Sequence, residues 1–125
     1  MAGFKLSKKE RLSGSLQIRA VFKGAKAVNC SGARLLVLPN SLGYNRFLCT
    51  FRRGFGSSVL RNRVRRVAKE HFRLINPVLS QGFDLVLLVF SENAGVSYKA
   101  YLLVRLLKHA GLLPPGSDIS ECFNL

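Results

Sequence analysis

Acidic residues are scarce in this chain. Glu10, Glu70, Asp84, Glu92, Asp118 and Glu121 are the full set, scattered singly along 125 residues. Hydrolytic nucleases commonly hold metal ions with clustered carboxylates or use paired histidines as acid and base. The only histidines are His71 and His109. This chain therefore reads as lacking an active site of its own. Cysteine is sparse too: Cys30, Cys49 and Cys122 are odd in number and show no CxxC spacing. That argues against a disulfide framework and a zinc site, and fits a reducing compartment. Tryptophan is absent, and no apolar run approaches the length of a membrane span. The first residues, MAGFKLSKKERLSGS, lack the apolar block of a signal peptide. No GxxxxGK[ST] or GxGxxG nucleotide motif occurs. Internal repeats, low-complexity stretches and linkers are also missing, so residues 1–125 read as one domain.

What the chain does have is positive charge. Its net charge is +14, while a mean hydropathy of +0.17 and 48% hydrophobic residues exclude a disordered basic tail. A folded domain with this charge needs an acidic partner: RNA, DNA or an anionic surface. The charge is also localised. Residues 1–26 carry seven Lys/Arg and one acid, and residues 46–73 carry nine and one. Residues 74–125 carry three against four acids, so they read as scaffold.

The densest segment runs from Arg61 to Arg73 and has seven basic residues, His71 included, against Glu70. At about 100° per residue, Leu60, Val64, Val67, Ala68, His71, Leu74 and Ile75 form one apolar stripe. Arg61, Asn62, Arg65, Arg66, Lys69 and Arg73 cover most of the remainder. A solvated helix face normally intersperses acids to form i,i+4 pairs, and here Glu70 is alone. One side is suited to a core and the other to a polyanion. His71 lies within the stripe and reads as a core histidine. Asp84, opening a strand, reads as a structural hydrogen-bonding group, and Cys49 as a small buried hydrophobe.

Around this segment the pattern predicts a short helix to Lys23, capped by Ser13 or Ser15 and ended by Gly24. Strand follows within 27–38, then a turn region at 39–45. A second strand, 46–51, alternates Phe47, Cys49 and Phe51 with Arg46, Leu48 and Thr50. Arg52-Arg53-Gly54-Phe55-Gly56 is a basic loop, Ser57 or Ser58 caps the arginine helix, and Asn76-Pro77 ends it. Phe83–Phe90 is nearly continuously apolar, Asp84 apart, and suits a central strand covered on both faces. A last helix, capped by Ser97, runs to Lys108. The order is helix, two or three strands, helix, strand, helix. It predicts an α+β fold, a two-layer α/β sandwich with helices on a small mixed sheet.

The stretch Phe51-Arg-Arg-Gly-Phe-Gly-Ser-Ser-Val-Leu-Arg-Asn-Arg-Val-Arg-Arg-Val-Ala-Lys-Glu-His-Phe-Arg resembles the signature of the bacterial ribonuclease P protein subunit. Arg11-Leu12 with Val21-Phe22-Lys23, the strand from Phe83 and the helix from Ser97 resemble its flanking elements. The likeness spans roughly residues 6–113. It implies three helices on a small sheet with a left-handed crossover. It also implies binding to ribonuclease P RNA and to precursor tRNA, whose 5′ leader the holoenzyme removes. The RNA would carry the chemistry with Mg²⁺, so the protein itself needs no cofactor, no further protein partner and no membrane, and would be cytoplasmic. By position, Arg61, Asn62, Arg63, Arg65, Arg66 and Lys69, with Arg52 and Arg53, would meet the RNA subunit. Ile18, Phe22, Leu36, Thr50 and Phe51 would line a cleft for the single-stranded leader. Ile18 and Leu36 stand where the family often has an aromatic.

Composition alone leaves other readings open. A ribosomal or other structural RNA-binding protein would carry the same charge. A DNA-binding module would lay the arginine helix in a major groove, but the wide basic sector suits phosphates more than base edges. A membrane-surface helix fits the polar side, but the narrow apolar stripe is ordinary core.

Overall fold

The computed structural model describes residues 10–30, 32–90 and 100–113. Helix α1 spans Ser15–Gly24, strand β1 Lys26–Cys30, β2 Ala33–Pro39 and β3 Arg46–Phe51. The long helix α2 covers Ser58–Ile75 and passes into one 3-10 turn, Asn76–Val78. Strand β4 is Phe83–Val89, and helix α3 is Ala100–His109.

The strands form one mixed sheet in the order β1-β2-β4-β3. The strand region over 27–38 is a hairpin, which gives the larger of the two expected strand numbers: β1 pairs antiparallel with β2, from Lys26↔Val37 to Cys30↔Ala33. β2 pairs antiparallel with β4, and β3 pairs parallel with β4. A parallel pair needs a crossover longer than a hairpin turn, and α2 is that crossover. Last in sequence, β4 is central in space. Its nearly continuous apolar run follows from this, and Leu85, Val86 and Leu87 are all fully buried.

Strand alternation sorts the sheet into two faces. Leu35, Val37, Phe47, Cys49, Leu85, Leu87 and Val89 point to the α2/α3 side and build the main core with Val64, Phe72, Ile75, Leu103, Leu106 and Leu107. This sheet-and-helix pair is the expected sandwich. The other face carries a smaller core of Leu12, Val21, Leu36 and Val86, with Ile18 and Leu48 at its margin, under α1.

Local chemistry sets the element ends. The N-cap of α1 is Gly14, not Ser13 or Ser15, and no side chain caps it. Gly14 has φ +93°, and a Cβ there would lie 3.0 Å from Gln17 Oε1. Glycine meets both constraints, whereas a serine would strain the backbone. Ser57 does cap α2, its Oγ accepting from Leu60 N at 3.1 Å. The expected cap of α3, Ser97, lies outside the described residues.

The buried residues of α2 are Val64, Ala68, Phe72 and Ile75. The stripe read from sequence lies about 50° round the helix from these: Leu60, Val67, His71 and Leu74 are only half-buried. Phe72 turns the helix. It is fully buried and stacks on Phe47 with centroids 4.7 Å apart and planes at 9°.

Two buried polar residues anchor the chain around the start of β4. Asp84 accepts from Arg46 Nε and Nη2, each at 2.7 Å, and from Asn40 Nδ2 at 2.9 Å. Asn45 donates to Asn76 Oδ1 and Ser80 O and accepts from Phe83 N, which ties β3 to the end of α2.

Candidate nucleic-acid interface

The outward side of α2 carries the basic residues. Asn62, Arg63 and Arg66 are exposed, while Arg61, Arg65 and Lys69 are half-buried along its flank. Glu70 pairs with Arg73 at 2.6 Å, one turn further on. The helix's only carboxylate is thus engaged away from the amino-terminal arginines. Among the described residues, Arg61, Arg63, Arg65, Arg66 and Lys69 have no acidic partner.

Position and support come from neighbouring elements. The Arg65 guanidinium donates through Nη1 to Asn62 Oδ1 at 3.1 Å. Its Cζ lies over the Phe51 ring, 5.2 Å from the centroid. Arg61 Nη1 reaches Phe55 O in a long contact of 3.4 Å. Arg52 and Arg53 project from an exposed turn closed by Phe55 N donating to Arg52 O at 3.0 Å. Gly54, third in that turn, has φ +84°, the backbone a type II turn requires.

The sequence reading of the site missed Arg11. Residues 10–12 run beside β3: Arg11 bridges to Phe47, and Leu12 N donates to Phe47 O at 3.1 Å. This brings Arg11 close enough to act on Lys69. Burial lowers the Lys69 pKa, and the charges of Arg11 and Arg65 lower it further. Such crowding of like charge is relieved by an anion. The surplus of basic residues in 1–26 was the available signal, but it did not say which of them reaches α2.

Burial also shifts two titratable groups other than this surface's cations. Burial pushes the Cys49 thiol up to about 12, so it stays protonated. Burial lowers the His71 pKa, against an opposing effect of Glu70. Among the described residues, no group of three or more His, Cys, Asp or Glu side chains is placed to hold a metal ion. No helix among them is long and apolar enough to cross a membrane.

Of the five residues expected to line a leader cleft, Ile18, Leu36 and Thr50 lie on the α1 side of the sheet with Phe22 on α1 itself, and Phe51 lies on the other side. Phe51 shares the parity of Phe47 and Cys49, so it lies on the α2 face, opposite Thr50 and α1. Leu36, 7% exposed, is core beneath α1, and half-buried Ile18 packs on the same core. Phe22 is 49% exposed on the flank of α1, and Thr50 is half-buried.

Register adds two residues to this face that sequence reasoning passed over. Leu88 pairs with both Thr50 and Arg34, so these three form a row across the sheet. Half-buried Leu88 is packed into neither core. Arg34 is exposed, with Nε fixed by Asn29 Oδ1 at 2.7 Å. Arg34 was an isolated charge in the sequence; only pairing shows its neighbours.

Comparison with known proteins agrees with this architecture. The chain is 40% identical over 104 residues to the ribonuclease P protein component of Natranaerobius thermophilus, covering 82% of this chain and 90% of that one. It is 31% identical over 108 residues to that of Clostridium botulinum, covering 84% and 97%. Two solved structures share the fold. A Staphylococcus aureus RNase P protein mutant with defective mRNA degradation activity superposes with a TM-score of 0.74 at 18% identity, covering 85% of this chain and 92% of that one. The Thermotoga maritima RNase P protein does so with a TM-score of 0.67 at 24% identity, covering 81% and 94%. The family model for ribonuclease P matches residues 6–111, and with it the chain belongs to the bacterial ribonuclease P protein family.

Proposed function

We propose that this chain is the RNA-binding protein subunit of ribonuclease P, a bacterial endoribonuclease of tRNA processing. It would bind the ribonuclease P RNA through α2 and the Arg52-Arg53 turn, and assist removal of the 5′ leader from precursor tRNA. The observation that carries this reading is the outer side of α2. Five cations there lack an acidic partner among the described residues, while the helix's one acid is held by Arg73. Cations left unpaired in the free protein release counterions when they meet phosphates, which favours binding. The RNA, with its Mg²⁺, carries the chemistry, and the protein contributes binding and charge. The setting is the cytoplasm.

For the leader we propose the Thr50–Leu88–Arg34 row and the exposed Phe22, rather than Leu36. An apolar and hydroxyl-bearing floor beside a guanidinium with no acidic partner among the described residues suits a single strand, which needs a surface for bases and a cation for its backbone.

The test is cleavage of a precursor tRNA by a bacterial ribonuclease P RNA at low Mg²⁺, with and without this protein. Restored cleavage at the mature 5′ end is expected, with no cleavage by the protein alone. Tight RNA binding without restored cleavage would favour a purely structural RNA-binding protein instead.

A further inference from the structure

We infer that Phe51, backed by Phe55, is a positioning residue for the RNA interface: its ring holds the Arg65 guanidinium in place without neutralising it. The inference rests on the proposed role of α2.

An arginine is held at a surface most often by a carboxylate, which cancels its charge. An aromatic face also attracts the cation, through the ring quadrupole, and leaves the net charge intact. Arg65 has this arrangement, with Cζ 5.2 Å from the Phe51 centroid and Nη1 donating to Asn62 Oδ1. Its Nε and Nη2 have no partner among the described residues.

The ring is itself well fixed. Phe51 closes β3, paired with Val89 of the central strand. It stacks on Phe55 with centroids 4.9 Å apart and planes at 29°, and Phe55 is 4% exposed. Arg61, one turn before Arg65, reaches the carbonyl of the same Phe55. The Phe51 ring therefore supports Arg65, and the Phe55 main chain supports Arg61, its neighbour in the same helix row. Phe51 and Phe55 also bracket Arg52 and Arg53, and Phe55 N closes the turn that presents those cations by donating to Arg52 O. Phe51 and Phe55 thus touch both basic elements, Phe51 through its ring and Phe55 through its main chain.

Immobilising a rotamer-rich side chain on binding weakens affinity by about two- to tenfold, and a side chain already held avoids that loss. The experiment is a double-mutant cycle on the dissociation constant for a bacterial ribonuclease P RNA. It uses the wild type, Phe51→Leu, Arg65→Ala and the double variant, with thermal unfolding followed in parallel. Phe51→Leu is expected to weaken binding about two- to tenfold. It should add nothing once Arg65 is Ala, and Phe51→Tyr, which keeps the ring, should bind as the wild type. If Leu perturbs folding, Phe51→Met repeats the cycle with an unbranched side chain. An equal loss from Phe51→Leu in both backgrounds would mean the ring serves only the core, and would overturn the inference while leaving the role of α2 standing. An unchanged affinity for Arg65→Ala would remove the inference together with the role of that arginine.

Discussion

At the scale of single residues, the buried polar groups are structural and the exposed ones are available for recognition. Asp84 is nearly inaccessible and accepts three hydrogen bonds. Its main partner, Arg46, is largely buried as well, with a pKa raised chiefly by its bond to Asp84. Removing the carboxylate strands a buried guanidinium. Asp84→Asn is therefore expected to lower stability by about 3–5 kcal/mol, measured as a shift of the urea midpoint. RNA binding by the folded fraction should be preserved, because both residues lie away from α2's outer side. A variant as stable as the wild type would mean that solvent reaches the pair.

His71 makes a second residue-scale prediction. Burial lowers its folded-state pKa below 6.5, with Glu70 opposing. The unfolded chain therefore takes up this proton first as pH falls. The sign follows from linkage: the stability tied to neutral His71 is whole above about pH 6.5 and declines as pH falls towards the folded-state value. His71→Gln should flatten that segment of the stability–pH curve relative to the wild type. Identical slopes for the two proteins between pH 7.5 and 5 would refute the assignment. The sequence placed His71 on the core stripe, whereas the structure leaves it half-buried at the edge of the core. The sequence could not rank His71 below Phe72, because the two lie about 100° apart on the helix and a rotation of about 50° decides which of them faces the sheet.

At the scale of elements, α2 does two jobs on two sides. Val64, Ala68, Phe72 and Ile75 hold it to the sheet, and the arginines do not contribute to that packing. Replacing Arg61, Arg65 and Arg66 together by Ala should thus weaken RNA binding strongly while leaving the cooperative unfolding transition in place. The log–log slope of affinity against salt should fall by about two, since each single-strand phosphate contact contributes about 0.7. A lost transition would show that these side chains serve the core. An unchanged slope would show that they miss the phosphates. The helix itself was legible in sequence, because its charge and apolar periods coincide and Ser57 and Asn76-Pro77 mark its ends. Its rotation was not, because that depends on Phe47 from another strand. The cap of α1 was misread for a related reason: two serines flank Gly14, and only the backbone angle shows which residue turns the corner.

At the scale of the whole molecule, the function depends on bringing separated stretches together. Arg11, Arg52, Arg53 and α2 come from three parts of the chain and form one basic region around β3. Its field should dominate association with RNA, so the overall affinity is expected to fall steeply between low and physiological salt. The near-neutral residues from 74 onward include β4, which sits at the centre of the sheet and fixes the spacing of everything else.

The sequence by itself determined the charge, its concentration in two segments, the presence of the arginine helix and the absence of clustered acids in the chain. These are properties of composition and short period, and they survive whatever the chain packs against. Tertiary structure decided which face each residue serves. Phe51 shows the difference: two neighbours in a strand point to opposite sides, so a cleft residue by proximity in sequence became, by one step of alternation, a support for Arg65. Leu88 and Arg34 show the converse. They are 54 positions apart in sequence, and they meet only because β2 and β4 pair. Register is a property of two strands together, and neither strand carries it alone.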